Sequence, residues 1–82
     1  MKTIDVEKQV RQIIAEQTGL DWTGIKLTDQ LANDLEMDSI DEVEIVIILE
    51  EAFNFEIDDE EVVGIVTVQQ LVKFVEDKLA KK

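Results

Sequence analysis

An all-α architecture, a small four-helix bundle with a long loop after the first helix and a short third helix, is what this sequence predicts. Two observations carry the expectation: apolar residues recur at helical spacing in the first, middle and last segments, and the chain offers no second strand to pair with its one β-branched run. Eighty-two residues suit one small domain, taken as residues 1–82.

The first helix is read from Val6, Val10, Ile13 and Ile14, spaced i, i+4, i+7 and i+8, and should run from near Thr3 to Gly19. From Leu20 to about Asp38 no period holds, and Thr23, Gly24, Thr28, Asn33 and Asp34 mark a loop. Trp22, Ile25, Leu27, Leu31 and Leu35 are its candidate inward plugs. A loop this long in a small domain is uncommon and often functional.

The second helix should begin at Asp38, whose carboxylate can cap first-turn N–H groups, with Asp41 and Glu42 beside the positive end of the dipole. Ser39 then takes the first helical position. The run "IVII" is β-branched and suits a buried strand too, but Ile45, Leu49 and Phe53 keep a four-residue spacing beyond it. "DDEEVV" reads as a short helix capped by Asp58 or Asp59 and ending near Gly64. The last helix follows Thr67, with Val68, Leu71, Val72, Val75 and Leu79 as its stripe and Lys78, Lys81 and Lys82 near its negative end.

Composition removes several function classes. With no cysteine and no histidine, the chain lacks disulfides, thiolate and imidazole metal ligands, and the commonest general base. Asp29 and Asp34 both fail as starts of an EF-hand loop, because neither register supplies the turn glycine. No nucleophile–base pair or phosphate-binding glycine loop accompanies the carboxylates, so a non-catalytic protein is expected. The first ten residues lack the apolar core of a signal peptide, and Ile45 to Leu49 is too short to span a bilayer, so a cytoplasmic location is expected.

The net charge of −12 argues against nucleic acid or anionic membrane as partner and for proteins with basic surfaces. Its placement is uneven: between Lys26 and Lys73 lie 14 of the 20 acidic residues and no Lys or Arg. Self-association would press like charges together, so a monomer is expected. Within this stretch the second helix has two apolar rows. Ile45, Leu49 and Phe53, with Val46 beside them, suit the core, while Ile40, Val43 and Ile47 are rotated away and flanked by Asp41, Glu44, Glu50 and Glu51. Either both rows are core, as in the central helix of a bundle, or the second is a partner-docking strip with an acidic rim.

"MDSIDEVEIVIILEEAFNFEI" resembles the acyl carrier proteins, through their Asp-Ser-Leu motif followed by Val-Glu-Leu, a paired Glu-Glu and a Phe closing the second helix. Length, acidity, the long first loop and "TVQQLVKFVED" agree, so the likeness covers essentially the whole chain. The resemblance implies that Ser39 is the attachment point for 4′-phosphopantetheine, transferred from coenzyme A by a phosphopantetheinyl transferase (holo-carrier synthase). It implies that the arm's thiol holds acyl intermediates as thioesters for the enzymes of fatty acid, lipid or polyketide biosynthesis. It gives Asp38 a part in presenting Ser39, makes Ile40, Val43 and Ile47 apolar contacts for partners, and sets Asp41, Glu44, Glu50 and Glu51 against their Arg and Lys. Val46, Leu49, Phe53, Ile57, Ile65, Val72 and Val75 would line a cavity that shelters the cargo, or else form a packed core.

The chain departs from the pattern at four places: Glu36 for a usual Gly, Met37 for a frequent alanine, Ile40 for the leucine after the serine, and Asp58 for a frequent proline. The crowded loop fits a carrier serving a dedicated pathway. Two other readings stay open, a carrier of aminoacyl, D-alanyl or peptidyl groups and an unmodified acidic interaction module.

Overall fold

The computed structural model describes residues 3–81, with side chains from Val6 onward. All its regular elements are helical: α1 (Thr3–Thr18), α2 (Ser39–Phe53) and α3 (Val68–Lys81), with 3-10 turns at Trp22–Gly24 and Asp59–Val62. The count of four helices is thereby corrected. The expected short third helix is a single 3-10 turn, leaving three α-helices among the described residues. The Glu61 N–H bonds the Asp58 carbonyl at 2.9 Å, an i→i+3 closure, and the Glu61 carboxylate accepts from the Asp58 N–H at 2.9 Å, so the segment closes as one tight turn. No helix among the described residues is long and apolar enough to cross a membrane.

Helix α1 packs against both α2 and α3. Its stripe of Val6, Val10, Ile13 and Ile14 is buried, and it meets Ile45, Leu49 and Phe53 of α2 and Val68, Leu71, Val72 and Val75 of α3 in one core. Gly19, at a φ of +79°, takes the left-handed position that ends α1, and its N–H reaches the Ala15 carbonyl at 2.8 Å. Asn54 does the same for α2, and Phe53 and Phe55 stack on either side of it with ring centroids 6.0 Å apart.

The long loop is ordered by backbone pairing that the sequence did not announce. Leu31 donates to the Val66 carbonyl at 2.9 Å, Val68 to Asp29 at 3.0 Å and Gln69 to Leu27 at 2.9 Å, making one antiparallel bridge between Gln30 and Thr67. These bonds fasten the loop to the start of α3. Ile25, Leu31 and Leu35 are buried as expected, and Trp22 and Leu27 are half-buried. Thr67 and Gln70 cap α3 reciprocally, with the Gln70 amide oxygen accepting from Val66 and Thr67 at 2.7 and 3.0 Å.

Candidate functional site

Asp38 fixes the site. Its extended backbone stops α2, and its Oδ1 accepts from the Asp41 N–H at 2.9 Å while Asp41 Oδ2 accepts from the Asp38 N–H at 3.2 Å. This reciprocal cap satisfies two donors that the helix would otherwise leave open. Ser39 follows as the first helical residue, exposed, and no hydrogen bond among the described residues engages its hydroxyl. A hydroxyl so placed can be reached by an enzyme, and the positive end of the helix dipole favours any anion joined to it.

A second brace comes from α1, at a residue the sequence reading passed over. The Gln17 amide donates to Asp41 at 3.0 Å and to Glu44 at 2.6 Å, tying the end of α1 to the start of α2. The Gln17 amide, and after it the Asp38 N–H, hold the Asp41 carboxyl below the usual carboxylate range. Both are donors that only the ionised form fully rewards. Gln17 lies 24 residues from Asp41 and sits on a helix rich in polar residues, so no local pattern singles it out.

The two apolar rows of α2 separate cleanly. Ile45, Leu49 and Phe53 are buried, whereas Ile40, Val43 and Ile47 are 68%, 59% and 48% exposed. The second row is therefore surface, and the all-core alternative falls. Around it Glu44 and Glu51 are exposed, while Asp41 and Glu50 are half-buried and already committed: Glu50 accepts from the Ile57 N–H at 2.8 Å, pinning the chain that leaves α2.

Beside this row a cleft of about 280 Å³ opens between α2 and the 3-10 turn Asp59–Val62. Leu31, Met37, Ile45, Val46, Val62, Val63, Ile65 and Leu71 line it, with Glu42 the one polar wall. A neighbouring groove shares Glu42, Val46 and Val62 and runs along Val43, Ile47 and Ile57. Of the seven residues expected around a cavity, Val46 and Ile65 line the cleft and Ile57 the groove; Leu49, Phe53, Val72 and Val75 are packed into the core.

Glu36 stands in the left-handed region, with φ of +55°, between the buried Leu35 and Met37. It reverses the turn whose N–H groups at Asp34 and Leu35 converge on the Gln30 carbonyl, and lets Met37 donate to Leu31 at 3.0 Å. A glutamate there costs roughly 1–2 kcal/mol that a glycine would not, of which a glycine loses about 0.5–1 kcal/mol to the freer unfolded chain. Glu36→Gly is expected to gain about 0.5–1 kcal/mol, read as a rise in Tm of about 2–8 °C. An unchanged or lower Tm would mean that the Glu36 side chain stabilises the loop by as much as its backbone strains it.

A family model described as the phosphopantetheine attachment site matches residues 8–75, a span that holds the Ser39 turn, α2, the cleft and most of α3. The group such a family attaches is 4′-phosphopantetheine, and its carriers work with a phosphopantetheinyl transferase and with acyl-handling enzymes. An exposed serine at a helix N-terminus, its hydroxyl without a hydrogen bond among the described residues, fits the phosphate end of that group. This chain belongs to the phosphopantetheine attachment site family.

Proposed function

We propose that Ser39 is the residue modified and that the protein carries acyl groups, as thioesters on the arm, between enzymes of fatty acid, lipid or polyketide biosynthesis. The observation that carries this reading is the Ser39 hydroxyl itself, exposed and held at the capped start of α2. In the transfer, the Ser39 oxygen forms a bond to the phosphorus nearer the pantetheine of coenzyme A. The pyrophosphate bond breaks, adenosine 3′,5′-bisphosphate leaves, and the hydroxyl proton passes to a base of the transferase. The bound group supplies the thiol that a chain without cysteine lacks. What the protein adds is placement. Asp38 and Asp41 hold the first turn, Gln17 braces it to α1, and the aliphatic cleft beside α2 favours an alkyl chain over water.

Ile40, Val43 and Ile47 form the docking strip in this reading, and Asp41, Glu44, Glu50 and Glu51 its acidic rim. Since Asp41 and Glu50 each already serve a backbone N–H, Glu44 and Glu51 are the better placed to meet a partner's Lys or Arg. An acyl cargo is favoured over an aminoacyl one by the lining, aliphatic but for Glu42.

Incubation with coenzyme A and a broad-specificity phosphopantetheinyl transferase, followed by intact-protein mass spectrometry, tests the proposal. The expected result is a gain of one phosphopantetheine that Ser39→Ala abolishes while leaving the fold intact, alanine being well suited to a first helical turn. A folded protein that gains nothing would leave an acidic docking module whose serine is unmodified. Gain retained in the alanine variant would move the attachment elsewhere.

A further inference from the structure

Three residues before Ser39, Glu36 holds a backbone conformation that glutamate seldom adopts, at a φ of +55°. Its side chain is exposed, and among the described residues no hydrogen bond or ion pair engages its carboxylate. Neither α2 nor the 3-10 turn Asp59–Val62 contains it, so the docking strip and its rim do not account for it.

The main chain is fixed on both sides of it. Leu35 and Met37 are buried, and their N–H groups bond the Gln30 and Leu31 carbonyls at 3.1 and 3.0 Å. Glu36 lines a recess of about 310 Å³ together with Gln17 and Asp41, which places it against the first turn of α2. The other two carboxylates on that recess are occupied. Asp34 accepts from the Gln30 N–H at 2.6 Å, and Asp41 accepts from the Asp38 N–H at 3.2 Å and the Gln17 amide at 3.0 Å. Of the three, Glu36 keeps its charge for a partner.

The reaction at Ser39 gives that charge a consequence. Coenzyme A carries phosphates of the same sign as the Glu36 carboxylate, so a carboxylate left unanswered beside the acceptor hydroxyl opposes their approach. A transferase that sets a Lys or Arg over the loop turns the repulsion into an attraction, and one that presents no cation there is penalised. That difference between enzymes is specificity.

We infer that Glu36 is a specificity-determining residue for phosphopantetheinylation, selecting a transferase that places a basic side chain over the loop before Ser39. This rests on the carrier reading with Ser39 as acceptor. The fixed backbone reduces the freedom lost when the carboxylate pairs, and the effect falls on recognition of the carrier rather than on the chemical step.

The test follows transfer from coenzyme A to the full chain by a phosphopantetheinyl transferase with a basic carrier-binding surface, with kcat and KM for the carrier measured separately at about 20 mM and about 500 mM salt. Glu36→Gln, which keeps the side chain's size and removes its charge, is expected to raise KM about fivefold at low salt, with kcat within about twofold of the parent. At high salt the two should converge. Glu36→Asp, which keeps the charge, should stay within about twofold of the parent. Glu36→Gly should raise KM as Glu36→Gln does even though its Tm rises. Asp77→Asn, which removes an equal charge from the exposed face of α3, should leave KM as it is. Equal KM in Glu36→Gln and the parent would overturn the assignment. So would a rise in Glu36→Gly without one in Glu36→Gln, which would trace the effect to the backbone, or a matching rise in Asp77→Asn, which would reduce it to net charge. A parent chain that accepts no phosphopantetheine would instead remove the carrier reading, and this inference with it.

Discussion

Leu49→Ala is expected to lose about 2–5 kcal/mol of folding stability, whereas Ile47→Ala, two residues along the same helix, should lose well under half as much. Leu49 is fully buried at the meeting of α1, α2 and α3, so its truncation leaves a cavity that three packed helices cannot close without moving together. Ile47 is 48% exposed, and its removal chiefly returns to water a surface already half in water. A chain of 82 residues has a total stability on the order of 4–12 kcal/mol, so the Leu49 change removes a large share of it. Urea melts of the two variants give the comparison directly, and steady-state assays with a partner enzyme give its complement. Ile47→Ala should raise KM while remaining folded. Equal destabilisation by both changes would place Ile47 among the core residues and end its role as a docking contact.

The contrast between these two residues also shows where the sequence was informative. Period alone separated the rows of α2, since Ile45, Leu49 and Phe53 continue a four-residue spacing that the row of Ile40, Val43 and Ile47 crosses at a different angle. The start of α2 was equally legible, because an aspartate followed three residues later by another acid is a local cap written in adjacent letters. The short segment after Ile57 was misjudged for a physical reason. A capping box predicts that a turn will start, and nothing in "DDEEVV" says whether it will propagate; here it stops after one 3-10 turn. Contacts between distant residues were out of reach altogether. The Gln17 brace spans 24 and 27 residues, and the carboxylate of Glu50, read from sequence as rim charge, is bonded to the Ile57 backbone. Glu36 lay between: its unusual identity was visible from the resemblance, but only its left-handed backbone explains why a glycine would sit there more easily.

Reversing Glu44 to Lys should slow association with a basic partner by about tenfold at an ionic strength near 10 mM, with a much smaller change in the dissociation rate. Glu44 is exposed on the strip side of α2, on a helix that also carries Asp41, Glu42, Glu50 and Glu51 and no Lys or Arg, so an approaching cation meets several acidic charges there. The substitution changes the net charge only from −12 to −10, so the predicted effect comes from position rather than total. It also removes one acceptor of the Gln17 amide, but Asp41 keeps the other bond at 3.0 Å and the brace between α1 and α2 survives. Stopped-flow association measured from 10 mM to 500 mM salt separates steering from contact. Steering falls away as the screening length shrinks from about 30 Å toward a few ångströms, so parent and variant should converge at the high end. A tenfold gap that persisted unchanged across the whole range would mean that Glu44 acts through the bound complex, and a variant as fast as the parent at low salt would take Glu44 out of the docking rim.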